Sequence, residues 1–163
     1  MLMPRASQGF SLLELMVVII VVAILLAIAA PSFTRFFESN RLSTAANSLL
    51  YHLQLSRSEA VRYATDVTFC PSADGAACSG GTDWTVGWIV TRPDPANPAL
   101  TDVLRVAPAV QGTVAITGGP TSIVFSPVGS ASSANTFTVT VGSSSDTVCV
   151  YVGGMAATGS GCP

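Results

Sequence analysis

The chain of 163 residues contains no lysine, so its seven positive side chains are all arginine, set against nine acidic residues for a net charge near −2. Proteins that hold a nucleic-acid backbone do so through clustered cations. No arginine cluster is visible here, and the balance offers nothing of that kind to a phosphate backbone. Histidine is nearly absent too, with His52 alone. That scarcity removes most of the general-base and metal-ligand repertoire. Ser126, Ser130 and the serines at 143–145 have no base to activate them and lie in no nucleophile motif. Neither catalysis nor a cofactor is expected. Charged residues make up only 10% of the chain, against roughly 25% in an ordinary globular domain.

What replaces charge is a long apolar run near the start. From Phe10 to Ala30 the sequence reads FSLLELMVVIIVVAILLAIAA, with Glu14 its only ionisable side chain. A helix of that length spans roughly 30 Å, enough for the hydrocarbon core of a bilayer. A carboxylate there costs on the order of a few kcal/mol, so its presence asks for a reason. Two readings compete. In one, the run belongs to a secretory signal, with Arg5 as the basic region and Ala27, Ile28 and Ala29 as a small-residue cleavage site. In the other, the cut falls after Gly9. The apolar helix then stays in the product, and Glu14 becomes the fifth residue of a chain beginning at Phe10.

The second reading is favoured because the helical pattern continues beyond Pro31. Leu42, Ala45, Ala46, Leu49, Leu53 and Ala60 recur at three- and four-residue spacings, with Arg41, Gln54, Arg57 and Arg62 between them. That is one apolar stripe on an amphipathic helix. The whole element is expected from about Phe10 to Tyr63, with Pro31 kinking rather than ending it.

After Asp66 the texture changes. DVTFC, WTVGWIV, VLRVAPAV, TVAITG, SIVFSP, TFTVTVG and DTVCVYV are short runs rich in Val, Ile, Thr and Phe, punctuated by Pro, Gly, Ser and Asn. TFTVTVG alternates as a half-buried strand does. With no second long helix to build parallel units, the strands should pair antiparallel. The expected fold class is α+β: one long N-terminal helix packed on a C-terminal antiparallel β domain. The divisions are 1–9 as a leader, 10–32 as a transmembrane half-helix, 33–64 as its amphipathic half and 65–163 as the β domain.

GFSLLELMVVIIVVAILLAIAAP resembles the processing and membrane signature of a type IV prepilin almost residue by residue. The body, in LQLSRSEAVRY, TFCPSADGAAC, DWTVGWIV and IVFSPVG, is similar to the GspH/FimT family and most like its FimU-type minor pilins. The resemblance implies cleavage by a prepilin peptidase after Gly9, N-methylation of Phe10, and a Glu14 that pairs with the amine of a neighbouring subunit during assembly. An amine and a carboxylate in low dielectric attract strongly, although desolvation offsets much of the gain. It further implies a single-pass protein of the bacterial inner membrane with its C-terminal domain in the periplasm, incorporated into a pilus fibre. The partners are then other minor and major pilins, or pseudopilins.

In such a compartment the four cysteines read as disulfides. Three connectivities are open. Local pairing of Cys70 with Cys78 and of Cys149 with Cys162 is favoured, since each pair closes a loop of small residues. A zinc site is the rival, but it lacks close ligand spacing and a nearby histidine. Trp84 and Trp88, with Val86, read as one face of a strand and as core; a stacking platform for single-stranded DNA is the sharper alternative. Members of the family linked to DNA uptake carry a Gly-Arg-rich stretch near the C-terminus. The comparable VGGMAATGSG has no arginine, so no nucleic acid is expected as a partner. Arg92 and Arg105 are expected to be solvated or paired with Asp94 and Asp102. Three functions follow from the resemblance. They are a minor pilin of a type IV pilus that helps to initiate the fibre or sits at its tip, a pseudopilin of a type II secretion system, and a DNA-binding pilin.

Overall fold

The computed structural model describes residues 9–162, the side chains at 27–32 and 160 apart. The leader at 1–8 lies outside the described residues, as do the side chains of Ala27, Ile28, Ala29 and Pro31. Two compact units divide the chain, Met1–Phe37 and Glu38–Pro163. One helix, α1 (Leu12–Tyr63), contributes to both.

In the first unit every described side chain from Gly9 to Leu26 is exposed. Leu12, Leu13, Ile19, Ile24 and Leu26 each leave more than half of their surface uncovered. Among the described residues no helix is long and apolar enough to cross a membrane, since the described side chains of the apolar run stop at Leu26.

In the second unit the stripe read from the sequence faces the core. Ala45, Ala46, Leu49, Leu53 and Ala60 are buried, and Leu42 and Leu50 pack partly against them. Ser56 sits in the same row, fully buried, and its hydroxyl donates to the His52 carbonyl at 2.7 Å. The hydrogen bond removes the cost of burying that hydroxyl. The helix closes on Ala64, whose φ of 50° is left-handed. Thr65 N–H donates to the Ala60 carbonyl and Ala64 N–H to that of Val61, the Schellman pattern.

Eight strands follow: β1 (Val67–Pro71), β2 (Trp88–Pro93), β3 (Thr101–Ala107), β4 (Val114–Thr117), β5 (Ile123–Phe125), β6 (Asn135–Val141), β7 (Ser144–Val150) and β8 (Ala156–Thr158). They form two four-stranded antiparallel sheets, ordered β3-β2-β1-β5 and β4-β6-β7-β8. A bulge at Val90/Thr91 shifts the register of β2 on β3. β6 alternates as TFTVTVG predicts, with Phe137, Val139 and Val141 buried.

One expectation is corrected. Trp84, Val86 and Trp88 do not share a strand: Trp84–Val86 form a single 3₁₀ turn, and Trp88 opens β2. Asp83 caps the turn by accepting the Thr85 N–H at 2.9 Å. Gly87 ends it at φ 101°, where a Cβ would lie 2.6 Å from the Ala107 carbonyl oxygen. The turn places Trp84 between the sheets. Its ring meets Phe69 of β1 at 4.8 Å and Phe137 of β6 at 5.0 Å, and its indole N–H donates to the Pro120 carbonyl at 3.0 Å. Core burial of both tryptophans agrees with the sequence reading. Neither offers a face for a base to stack on.

Candidate functional site

The N-terminal end of α1 explains itself locally. Ser11 stands just before the helix, and its hydroxyl accepts the Glu14 N–H at 3.2 Å. Ser-x-x-Glu is the sequence of a capping box. The motif is legible in the sequence as Ser11 followed by Glu14. A carboxylate in the first turn also faces the positive end of the helix dipole. Glu14 therefore has a reason to stand at the start of the helix before any partner is considered. Phe10, the aromatic residue beside Gly9, is 81% exposed.

Cys70 is bonded to Cys78 and Cys149 to Cys162, each pair with Cα atoms 5.6 Å apart. The first closes a loop ordered from within. The Asp74 carboxylate accepts from Ala76 N–H, Ala77 N–H and the Ser72 hydroxyl at 2.9 to 3.1 Å. These hydrogen bonds, led by Ala76, hold its pKa below the ordinary carboxylate value. Gly75 of this loop lies against Val106 of β3. The second bond ties the C-terminal segment to β7.

The arginines are dispersed. Arg92 pairs with Asp102 at 3.0 Å and stacks on the Tyr63 ring at 3.7 Å, fastening the end of α1 to β2 and β3. Arg105 donates to the Leu104 carbonyl, and Arg62 pairs with Glu59. Asp94 receives no arginine among the described residues; it accepts from Ala96 and Asn97 N–H in its own turn. Arg57 donates from Nε to the Gly129 carbonyl at 3.1 Å. Of the pairings with Asp94 and Asp102 open to Arg92 and Arg105, the described residues show Arg92 with Asp102 alone, and the stacking partner Tyr63 carries no local signal.

His52 is half-buried. Its Nδ1 donates to the Ser48 carbonyl at 2.7 Å, and its ring meets Trp88 edge-on at 5.8 Å. Burial pushes its pKa below 6.5; the Ser48 hydrogen bond opposes this and the Arg105 charge adds to it. Ser126 and Ser130 are hydrogen-bonded to each other across a turn. Among the described residues no set of His, Cys, Asp and Glu is grouped to hold a metal.

The comparisons agree with this arrangement. Residues 4–30 match the prokaryotic N-terminal methylation motif, and residues 45–155 match the type II transport protein GspH. The type IV major pilin protein PilA of Myxococcus xanthus (strain DK1622) is 42% identical over 74 residues, covering 42% of this chain and 33% of PilA. The chain thus spans about a third of that relative's length. Two crystal structures of the type IV minor pilin FimU of Pseudomonas aeruginosa (strain PAO1) share the fold. One has a TM-score of 0.59 at 21% identity, over 75% of this chain and 90% of FimU; the other has 0.56 at 18%, over 72% and 91%. Family and fold are those of structural pilins, which associate with one another in a fibre, rather than of enzymes. The methylation motif links the chain to a pilus or a membrane. The chain belongs to the GspH family of type IV pilin-like proteins.

Proposed function

We propose that the chain is a minor pilin of a type IV pilus that takes part in initiating or capping the fibre. On this reading a prepilin peptidase removes the leader after Gly9, and Phe10 becomes the methylated N-terminus. Residues 10–32 hold the protein in the inner membrane until assembly, and 33–64 carry the periplasmic β domain at 65–163. The observation that carries the proposal is the methylation motif at 4–30, followed by a GspH body of FimU-like fold. The exposed apolar surface from Phe10 to Leu26 supports it, because nothing among the described residues covers those side chains. A bilayer or the packed helices of neighbouring subunits would cover them. Glu14 then neutralises the new amine of an adjacent subunit, a role that its place in the first turn of α1 leaves open to it.

One observation favours a second reading, a pseudopilin of a type II secretion system: the matching family is described by its transport member. Mass spectrometry of the protein from native membranes should find a chain starting at methylated Phe10. A start near Ala30 would refute both readings. Deleting the gene should abolish surface pili and leave secretion intact; the reverse phenotype selects the pseudopilin. Gly9→Val should leave the precursor uncleaved, since a branched side chain obstructs the position beside the scissile bond.

A further inference from the structure

Beside the disulfide-tied C-terminal segment lies a groove that none of the described residues fills. One wall is the exposed face of α1 at Gln54, Arg57, Ser58 and Val61; the other is Gly154, Met155 and Ala156 at the turn into β8. Its volume is about 440 Å³, the size of a few side chains. Val61 is 53% and Met155 61% exposed, so the walls present apolar surface to solvent.

Among the described residues that line it, Arg57 alone is charged. The side chain is held: Nε donates to Gly129 O, and Gly154 packs over the same point. A Cβ at Gly154 would run into the Gly129 carbonyl oxygen, and its φ of 76° suits glycine. The terminal amino groups of Arg57 make no hydrogen bond or ion pair among the described residues. From Glu38 onward the chain has five arginines against eight acidic residues. A held, unpaired guanidinium between apolar walls is therefore the complement of what most of this surface displays. A single cation does not suit a phosphate backbone, which needs several. It suits a carboxylate, which a guanidinium grips with two parallel hydrogen bonds.

We propose that this groove receives a carboxylate-bearing apolar segment of a neighbouring pilin subunit. Arg57 holds the carboxylate, and Val61 and Met155 cover the side chain beside it. The proposal rests on the association of pilins in fibres, not on the minor-pilin role. To test it, p-benzoylphenylalanine replaces Met155 in the full chain, expressed in its native cells, and the adduct formed on irradiation is sequenced by mass spectrometry. The expected adduct is a pilin peptide with Asp or Glu within a few residues of the cross-link. Arg57→Gln should cut its yield at least about tenfold, and Arg57→Lys by less. A second variant guards against misfolding: Arg57→Asp combined with Arg at the partner's acidic position should restore the yield. No adduct, an adduct to lipid or nucleic acid, a peptide without an acidic residue, or a yield indifferent to Arg57 would overturn the proposal. An unprocessed N-terminus in the same sample would count against the function proposed above, whereas a processed chain without the adduct would overturn the groove proposal alone.

Discussion

Trp84 and Trp88 are both buried, yet only one finds a hydrogen-bond acceptor. Trp88 Nε1 is buried with no partner among the described residues, whereas Trp84 Nε1 is satisfied by Pro120. Truncation to Phe removes similar volume at each site, but at Trp84 it also strands a carbonyl, while at Trp88 it removes an orphaned donor. Trp84→Phe should therefore cost about 1 kcal/mol more than Trp88→Phe in denaturant unfolding; equal costs would contradict this account. His52 carries a pH dependence whose sign follows from its lowered pKa. The unfolded ring takes up its proton near pH 6.5, the folded ring only at lower pH. The stability it contributes is full above that value and lost as pH falls through it towards the folded pKa. The melting temperature should drop between about pH 7.5 and 5, and drop less in His52→Gln. The same slope in both would remove His52 as the cause. Residue by residue, the sequence was uneven. Both tryptophans could be read as core, because large apolar side chains among strand residues are usually buried. Arg57 could not be read as a groove residue, since its neighbours Gly129 and Gly154 come from distant turns.

Helix α1 was legible almost to its ends, because a period of three to four residues survives any tertiary context that buries one face. Seven of the eight strands lie on runs picked out by composition; β8, Ala156–Thr158, was not picked out. Ala-Ala-Thr has no strand pattern of its own and is held as a strand by pairing to β7. The Trp84 turn shows the opposite case: WTVGW alternates like a strand, and only Gly87 betrays the break. The end of α1 offers a test at this scale. Ala64 occupies a left-handed position where glycine is at ease, and its Cβ costs on the order of 1 kcal/mol. The greater freedom of an unfolded glycine returns part of that gain. Ala64→Gly should still raise stability by about 0.5 kcal/mol in chemical unfolding. A loss of that size would mean the cap is held by contacts other than its backbone bonds.

For the molecule as a whole, the dispersal of its arginines matters more than their number. Those at 62, 92 and 105 are engaged with Glu59, Asp102 and the Leu104 carbonyl, and no cluster of free cations forms among the described residues. A duplex titrated at two salt concentrations should bind no tighter than about 10⁻⁴ to 10⁻⁶ M. Tighter binding that collapses with salt would favour the DNA-uptake reading. The Cys149–Cys162 bond has a mechanical consequence. Without it, tension on the last residues would peel the short strand β8 from β7 one hydrogen bond at a time, the weak zipper geometry. With it, a pull beyond Cys162 bypasses β8 and reaches Cys149, within β7 and flanked by β6 and β8. There the load meets a strand paired on both sides. In a fibre under load, the C-terminal end of this domain would then be a fixed attachment point instead of a loose thread.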